Sequence, residues 1–157
     1  MKVTAEIRNE CASQWTPDAA LCTTWIESAL RSVGHSRDCD ISISFVDAAA
    51  IADLNARYRD KPQPTNVLSF PGDFPEQLVH TLAYQPLGDI VICPSVMAAE
   101  AQQQSKELQS HWAHIMIHGV LHLLGYDHIK PAAARRMEQI EIEALATLGI
   151  PDPYLIG

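Results

Sequence analysis

The stretch from Ser110 to Leu124, "SHWAHIMIHGVLHLL", is apolar on nearly every side of a helical wheel: Trp112, Ile115, Met116, Ile117, Val120, Leu121, Leu123 and Leu124 leave no broad face for water. A helix with one apolar stripe can lie on a surface, but one apolar all round has to be covered on all sides. The remaining chain must therefore supply packing partners for both of its flanks. A length of 157 residues suits one domain with a real core, residues 1–157, and is too short for two of ordinary size.

Those partners can be read in outline. "KVTAEI" alternates with the period of a strand, and "DISISFV" does so more clearly, with Ile41, Ile43 and Phe45 on one face. Between them a helix is expected from Pro17, capped by Thr16, lined by Leu21, Trp25, Ala29 and Val33, and ended by Gly34. Asp47 caps a further helix whose apolar side carries Ile51, Leu54 and Tyr58. "DKPQPT" has to be a loop, because two prolines this close stop a helix. "NVLSF" reads as a short strand ended by Pro71, residues 72–86 as a surface loop, and "GDIVIC" as an interior strand. Pro94 opens a helix to about Leu108, and Pro131 opens a last amphipathic one carrying Met137, Ile140, Ala144, Leu145 and Leu148. The pattern is α+β: a single domain with about four strands in a mixed sheet packed with about five helices, the apolar one at the centre.

Composition narrows the function classes. The net charge of −8 argues against broad, nonspecific binding to a polyanion, so any contact with nucleic acid has to rest on a local basic patch, a metal ion or both. No apolar run reaches the roughly 18 residues that span a bilayer, and "MKVTAEIRNE" lacks a signal-peptide core, so a cytoplasmic protein with no membrane association is expected. Cys11, Cys22, Cys39 and Cys93 are scattered with no CxxC pair, which fits reduced thiols rather than disulfides or a cysteine zinc site.

Histidine is out of place in so apolar a helix. His118 and His122 are four residues apart and project from the same side, where both imidazoles can reach one metal ion. A third ligand cannot easily come from the next turn, so the chain must reverse. Gly125 is the residue type that ends a helix in a left-handed conformation and could bring His128 back to the pair. Three neutral imidazoles leave a position open on a tetrahedral Zn2+, as a catalytic site requires, where a metal can acidify water or polarise a phosphoryl or carbonyl oxygen. His114 is expected to support or pack against this group, and His111, about 10 Å from His118 along the axis, to lie outside it. His35 and His80 fall in loops without a motif.

The spacing follows the zinc-protease pattern H-E-x-x-H-x-x-G-x-x-H except at one position. Gly119 stands where that pattern carries the glutamate that serves as general base. Losing a positioned base typically costs about 10²–10⁴-fold in rate, which disfavours peptide hydrolysis by that route. Asp127 could substitute, but capping the turn or supporting a histidine accounts for it equally well.

Taken together, "HGVLHLLGYDH", "LNARYRDKPQPTNVLSFP" and "LGDIVIC" closely resemble the YbeY family of bacterial metal-dependent endoribonucleases, collinearly from about Asp47 to the end. The resemblance implies zinc at His118, His122 and His128, and a functional arginine for RNA cleavage at Arg59. It implies single-stranded RNA as substrate, action at the 3′ end of small-subunit (16S) rRNA, a part in ribosome quality control, and contact with the ribosome or small-subunit components. Two positions depart from the family's usual loop: Asp60 stands for a glycine and Pro62 for an acid.

Arg57, Arg59 and Lys61 form the densest basic cluster of the chain. Arg59 could grip a phosphate with its planar donor fork and stabilise charge at phosphorus, whereas a solvated helix end explains Arg57 and Lys61 equally well. Thr65, Asn66 and Ser69 are candidates for the same cleft or for turn and strand-edge roles. The expectation is a zinc-dependent endoribonuclease, a hydrolase of ester bonds. Its rivals are a zinc peptidase or other amide hydrolase, and a non-catalytic ribosome-assembly factor with structural zinc.

Overall fold

In the computed structural model, which describes residues 1–11, 13–72 and 74–155, alternation becomes strands where the sequence shows it most plainly. The chain runs β1 (Val3–Asn9), α1 (Ala19–Ser32), β2 (Cys39–Phe45), α2 (Ala48–Arg59), β3 (Val67–Pro71), α3 (Glu76–Thr81), β4 (Gln85–Ile92), α4 (Pro94–Gln103), α5 (Leu108–Leu123) and α6 (Pro131–Thr147). In β2, Cys39, Ile41, Ile43 and Phe45 are all buried while the residues between them are not. The four strands form one mixed sheet in the order β1-β2-β4-β3. β1, β2 and β4 are parallel, and β3 runs antiparallel on β4.

Helix α5 is the centre of the α+β packing, as its apolar circumference demands. It contacts α1, α4 and α6 as well as β3 and β4. Trp112 is fully buried, with the Phe45 ring edge-on at 5.3 Å and Trp15 at 6.1 Å. A second, smaller core of Val46, Ile51, Leu68, Val91 and Cys93 seats α2 on the sheet. Cys22, Cys39 and Cys93 are buried and Cys11 is half-buried, and these four thiols are free.

Several local expectations are corrected. Asp18, not Thr16, caps α1, its Oδ1 accepting from the Leu21 amide at 2.8 Å. The Thr16 hydroxyl instead accepts from Asn9 Nδ2 and ties the end of β1. Asp47 caps α2 as its position suggested, through the Ala50 amide at 2.8 Å. The expected loop 72–86 contains α3, a sixth helix, and the first two residues of β4. Pro86 lies inside β4, and the pairing with β2 shifts register between Asp40 and Ser42, where proline has no amide to donate. The helix from Pro94 stops at Gln103 instead of Leu108, and Leu108 begins α5. Tyr58 is not on a buried face: it is 64% exposed at the last turn of α2.

The loop that departs from the family pattern is well anchored. Asp60 takes a left-handed conformation, φ 55° and ψ 29°, at the C-terminus of α2, which is the backbone that glycine adopts without steric penalty. The amides of Asp60 and Lys61 both donate to the Asn55 carbonyl, and the buried Asn55 side chain donates to Gln63 O at 2.9 Å. These bonds hold the segment against α2 and lead it into β3.

Candidate metal centre

The C-terminus of α5 decides the site. Leu124 is the helix cap, and Gly125 follows with φ +97°, a value that a side chain would strain. The Tyr126 amide donates to Leu121 O at 3.0 Å and the Gly125 amide to His122 O at 3.1 Å, the paired bonds of a Schellman ending. The reversal returns His128 to the two histidines of the helix. Nitrogen atoms of His118, His122 and His128 all lie within 4.8 Å of one another, and Nε2 of His118 is 3.0 Å from Nε2 of His122. Three nitrogens on a tetrahedral ion at about 2.0–2.1 Å would be a little over 3 Å apart, so the convergence fits a metal. Asp127 takes up the turn role. Its Oδ1 accepts from the Ile129 amide at 3.1 Å and closes the turn beside His128.

Behind His118 stands a carboxylate that sequence reasoning missed. Glu141 of α6 is 1% exposed and accepts from His118 Nδ1 at 2.8 Å and from His114 Nε2 at 2.7 Å. The hydroxyl of Tyr154 donates to the same carboxylate and lies 3.2 Å from His114 Nε2. Burial alone would raise the Glu141 pKa, but hydrogen bonds from His114, His118 and Tyr154 outweigh it and hold the carboxyl down to about 2. The Tyr154 phenol is pushed well above its ordinary range by burial and by Glu141. An ionised Glu141 fixes the proton of His118 on Nδ1 and leaves Nε2 as a lone pair aimed at the other rings. Its signal in the sequence was a charge on the apolar face of α6, among Met137, Ile140, Ala144 and Leu145.

The third property is neutrality. The His122 pKa is lowered to about 4, first by burial and then by His118 and His128 beside it, against a raising hydrogen bond at Tyr126. At neutral pH this imidazole carries no proton that a metal would have to displace. His114 belongs to the Glu141 network and His111 to another. His111 Nε2 lies 2.9 Å from Glu100 Oε1, which also accepts from Asn66 Nδ2 at 3.1 Å, joining α4, α5 and the entry to β3.

The three rings open into a cavity of about 600 Å³. Arg59 lines it, as do Thr65, Asn66 and Ser69, so the cleft-lining alternative applies to all three. Arg57 instead pairs with Asp53 at 3.0 Å on the exposed side of α2. Gly119 lies where β3 and β4 press on α5. A Cβ there would come within 3.2 Å of Ile90 Cδ1, 3.3 Å of Ser69 Oγ and 3.4 Å of Val67 Cγ2. The Ser69 hydroxyl donates to Gly119 O at 2.9 Å.

Three convergent imidazoles and an arginine around one open cleft, with a buried carboxylate behind the rings, define the class: an α+β protein able to hold a metal ion within reach of solvent. Among families, the model described as "Endoribonuclease YbeY" matches residues 6–149. The chain belongs to the endoribonuclease YbeY family. An endoribonuclease YbeY of Acinetobacter baumannii is 52% identical over 130 residues, 82% of each chain. That of Pseudomonas putida is 52% identical over 139 residues, 88% of this chain and 85% of its own. The solution structure of a Thermotoga maritima protein shares the fold, with a TM-score of 0.53 at 21% identity over 98% of this chain and 99% of that one. Among the described residues no helix is long and apolar enough to cross a membrane.

Replacing Glu141 by glutamine tests the support of the centre. It keeps the volume but removes the charge that holds His118. Loss of such an outer partner typically costs about 10–100-fold in metal affinity. Competition with a chromophoric chelator should show a weakening of that order. Unchanged affinity would mean that Glu141 only packs.

Proposed function

We propose that this chain is a zinc-dependent endoribonuclease that cuts single-stranded RNA, acting as one domain over residues 1–157. The observation that carries the reading is that Arg59 and all three imidazoles line the same cavity. His118, His122 and His128 hold the ion, and three oriented imidazoles, with His122 kept unprotonated by burial, suit zinc. When bound, zinc supplies Lewis acidity at a phosphoryl oxygen and brings the ionisation of water toward neutral pH.

The chain's own residues supply binding and orientation. The guanidinium of Arg59 meets phosphate oxygens with a planar fork of donors and stabilises the charge that grows on them as the ester is cleaved. Glu141 and the Gly125 turn set the three rings before substrate arrives, so no reorganisation is needed during reaction. With a net charge of −8, the protein gains little from general attraction to RNA, and the grip has to be local. The packing around Gly119 speaks against the peptidase reading, because the first carbon of a glutamate there is already crowded. Family membership supports placing the activity in maturation of the 3′ end of 16S rRNA and in ribosome quality control, in the cytoplasm and in contact with small-subunit components.

The test is cleavage of a defined single-stranded RNA by protein stripped of metal and then reloaded. Activity should vanish on chelation and return with zinc near one equivalent per chain. Arg59→Ala should lower kcat by about 10²–10³-fold, the usual loss of one charge-stabilising donor, while metal content stays unchanged. Full activity in the arginine variant, or in chelated protein, overturns the assignment.

A further inference from the structure

Among the phenylalanines, tryptophans and tyrosines, Tyr58 is the most exposed, at 64%. Exposure alone explains nothing, but its position is specific. The ring lines the cavity that holds Arg59 and the three histidines. It is also held in place: Phe70 of β3 meets it edge-on, with centroids 5.1 Å apart and planes at 69°. Such a contact favours one ring orientation and so reduces the side-chain entropy lost on binding.

We propose that Tyr58, braced by Phe70, is a stacking subsite for an unpaired nucleobase next to the phosphate gripped by Arg59. The inference rests on the RNA reading of the cleft given above. Stacking on an aromatic face is tolerant of sequence, because every base offers a π-face, and it requires bases free of a duplex. A strongly acidic chain gains little long-range attraction, so short-range stacking is a suitable source of affinity. Tyr58 and Arg59 are neighbours at the last turn of α2, which places a flat apolar surface beside a phosphate-binding fork. The pair would sort single-stranded from double-stranded RNA before any bond is cut.

Steady-state cleavage of a single-stranded RNA by the zinc-loaded, full-length protein tests this. Tyr58→Ala should raise KM by roughly 5- to 150-fold, the worth of one stacked base, with a smaller change in kcat. Tyr58→Phe, which keeps the ring, should recover most of the affinity, and Tyr58→Leu should not. Tyr84→Ala, at an exposed tyrosine away from the cavity, should leave KM unchanged. Substrates with a single abasic position, scanned along the strand, should show one position at which wild type loses affinity and Tyr58→Ala loses no more. An unchanged KM in Tyr58→Ala beside an active wild type, or a leucine variant as good as wild type, overturns the stacking subsite alone. A wild-type protein that cuts no single-stranded RNA overturns the RNA reading and this subsite with it.

Discussion

His122→Ala is expected to remove metal binding at the site and RNA cleavage with it, while the protein stays folded. His122 is the ring with its pKa lowered to about 4, and its Nε2 lies 3.0 Å from that of His118. Removing it leaves two imidazoles, one on the helix and one on the turn. Loss of a partner one layer further out already costs about 10–100-fold in affinity, so loss of a ligand should exceed the upper end of that range. Stability of the metal-free protein gives a second readout. Unfolded, this histidine titrates near its ordinary 6.5; folded, it titrates near 4. Between these values the unfolded chain binds the extra proton, so stability falls as pH drops from about 6.5 to 4 and this contribution then levels off. Glu141, held near 2 against an ordinary 4.5, has the same sign and extends the loss from about pH 4.5 downward. In His122→Ala the upper limb of this acid destabilisation should flatten and the lower limb should persist, as read by urea unfolding across pH. An alanine variant that competes for zinc as well as wild type would show that the ion sits elsewhere.

Much of the centre was legible because it is built from short-range rules. Two histidines one turn apart, a glycine after the last apolar residue and a third histidine beyond it are separated by only ten positions, and α5 with its Gly125 ending follows from them. The alternation in "DISISF" and the cap at Asp47 are local in the same way. What escaped the sequence depends on how distant elements meet. Glu141 lies 23 positions from His118, and Tyr154 lies 40 from His114; their roles exist only once α6 and the chain after it pack on α5. The charge of Glu141 on an apolar helix face was visible, but its partners were not. Tyr58 failed for the opposite reason. Its spacing from Ile51 and Leu54 suggested burial, yet the last turn of α2 extends beyond the core that covers Ile51. α3 carries too few residues for a period to show, and Pro86 hid the start of β4 because proline is tolerated there only at an irregular pairing.

Gly119→Glu, which completes the protease pattern, is expected to yield a less stable protein and no peptidase. The sequence shows a missing base, and the structure shows what the glycine does instead: it lets β3 and β4 lie close on α5. A Cβ at 119 already meets three side chains at 3.2–3.4 Å, tighter than ordinary contact. For Gly119→Ala the ends of Ile90 and Ser69 can yield by a few tenths of an ångström, at a cost of about 1 kcal/mol. Glutamate adds two carbons and a carboxylate at the same spot, and it disturbs the bond from Ser69 to Gly119 O. Overpacking and a poorly solvated charge together should cost about 2–5 kcal/mol. For a chain of this size, that lowers the melting temperature by roughly 5–15 °C. Val67 and Ser69 also line the cavity, so the displacement should carry through β3 and weaken RNA cleavage. Thermal unfolding and parallel assays on RNA and on an unfolded protein substrate read both effects. A Gly119→Glu protein that melts with wild type and hydrolyses peptide bonds would show that only one letter separates this centre from a protease, and that packing against the sheet is not what holds position 119 to glycine.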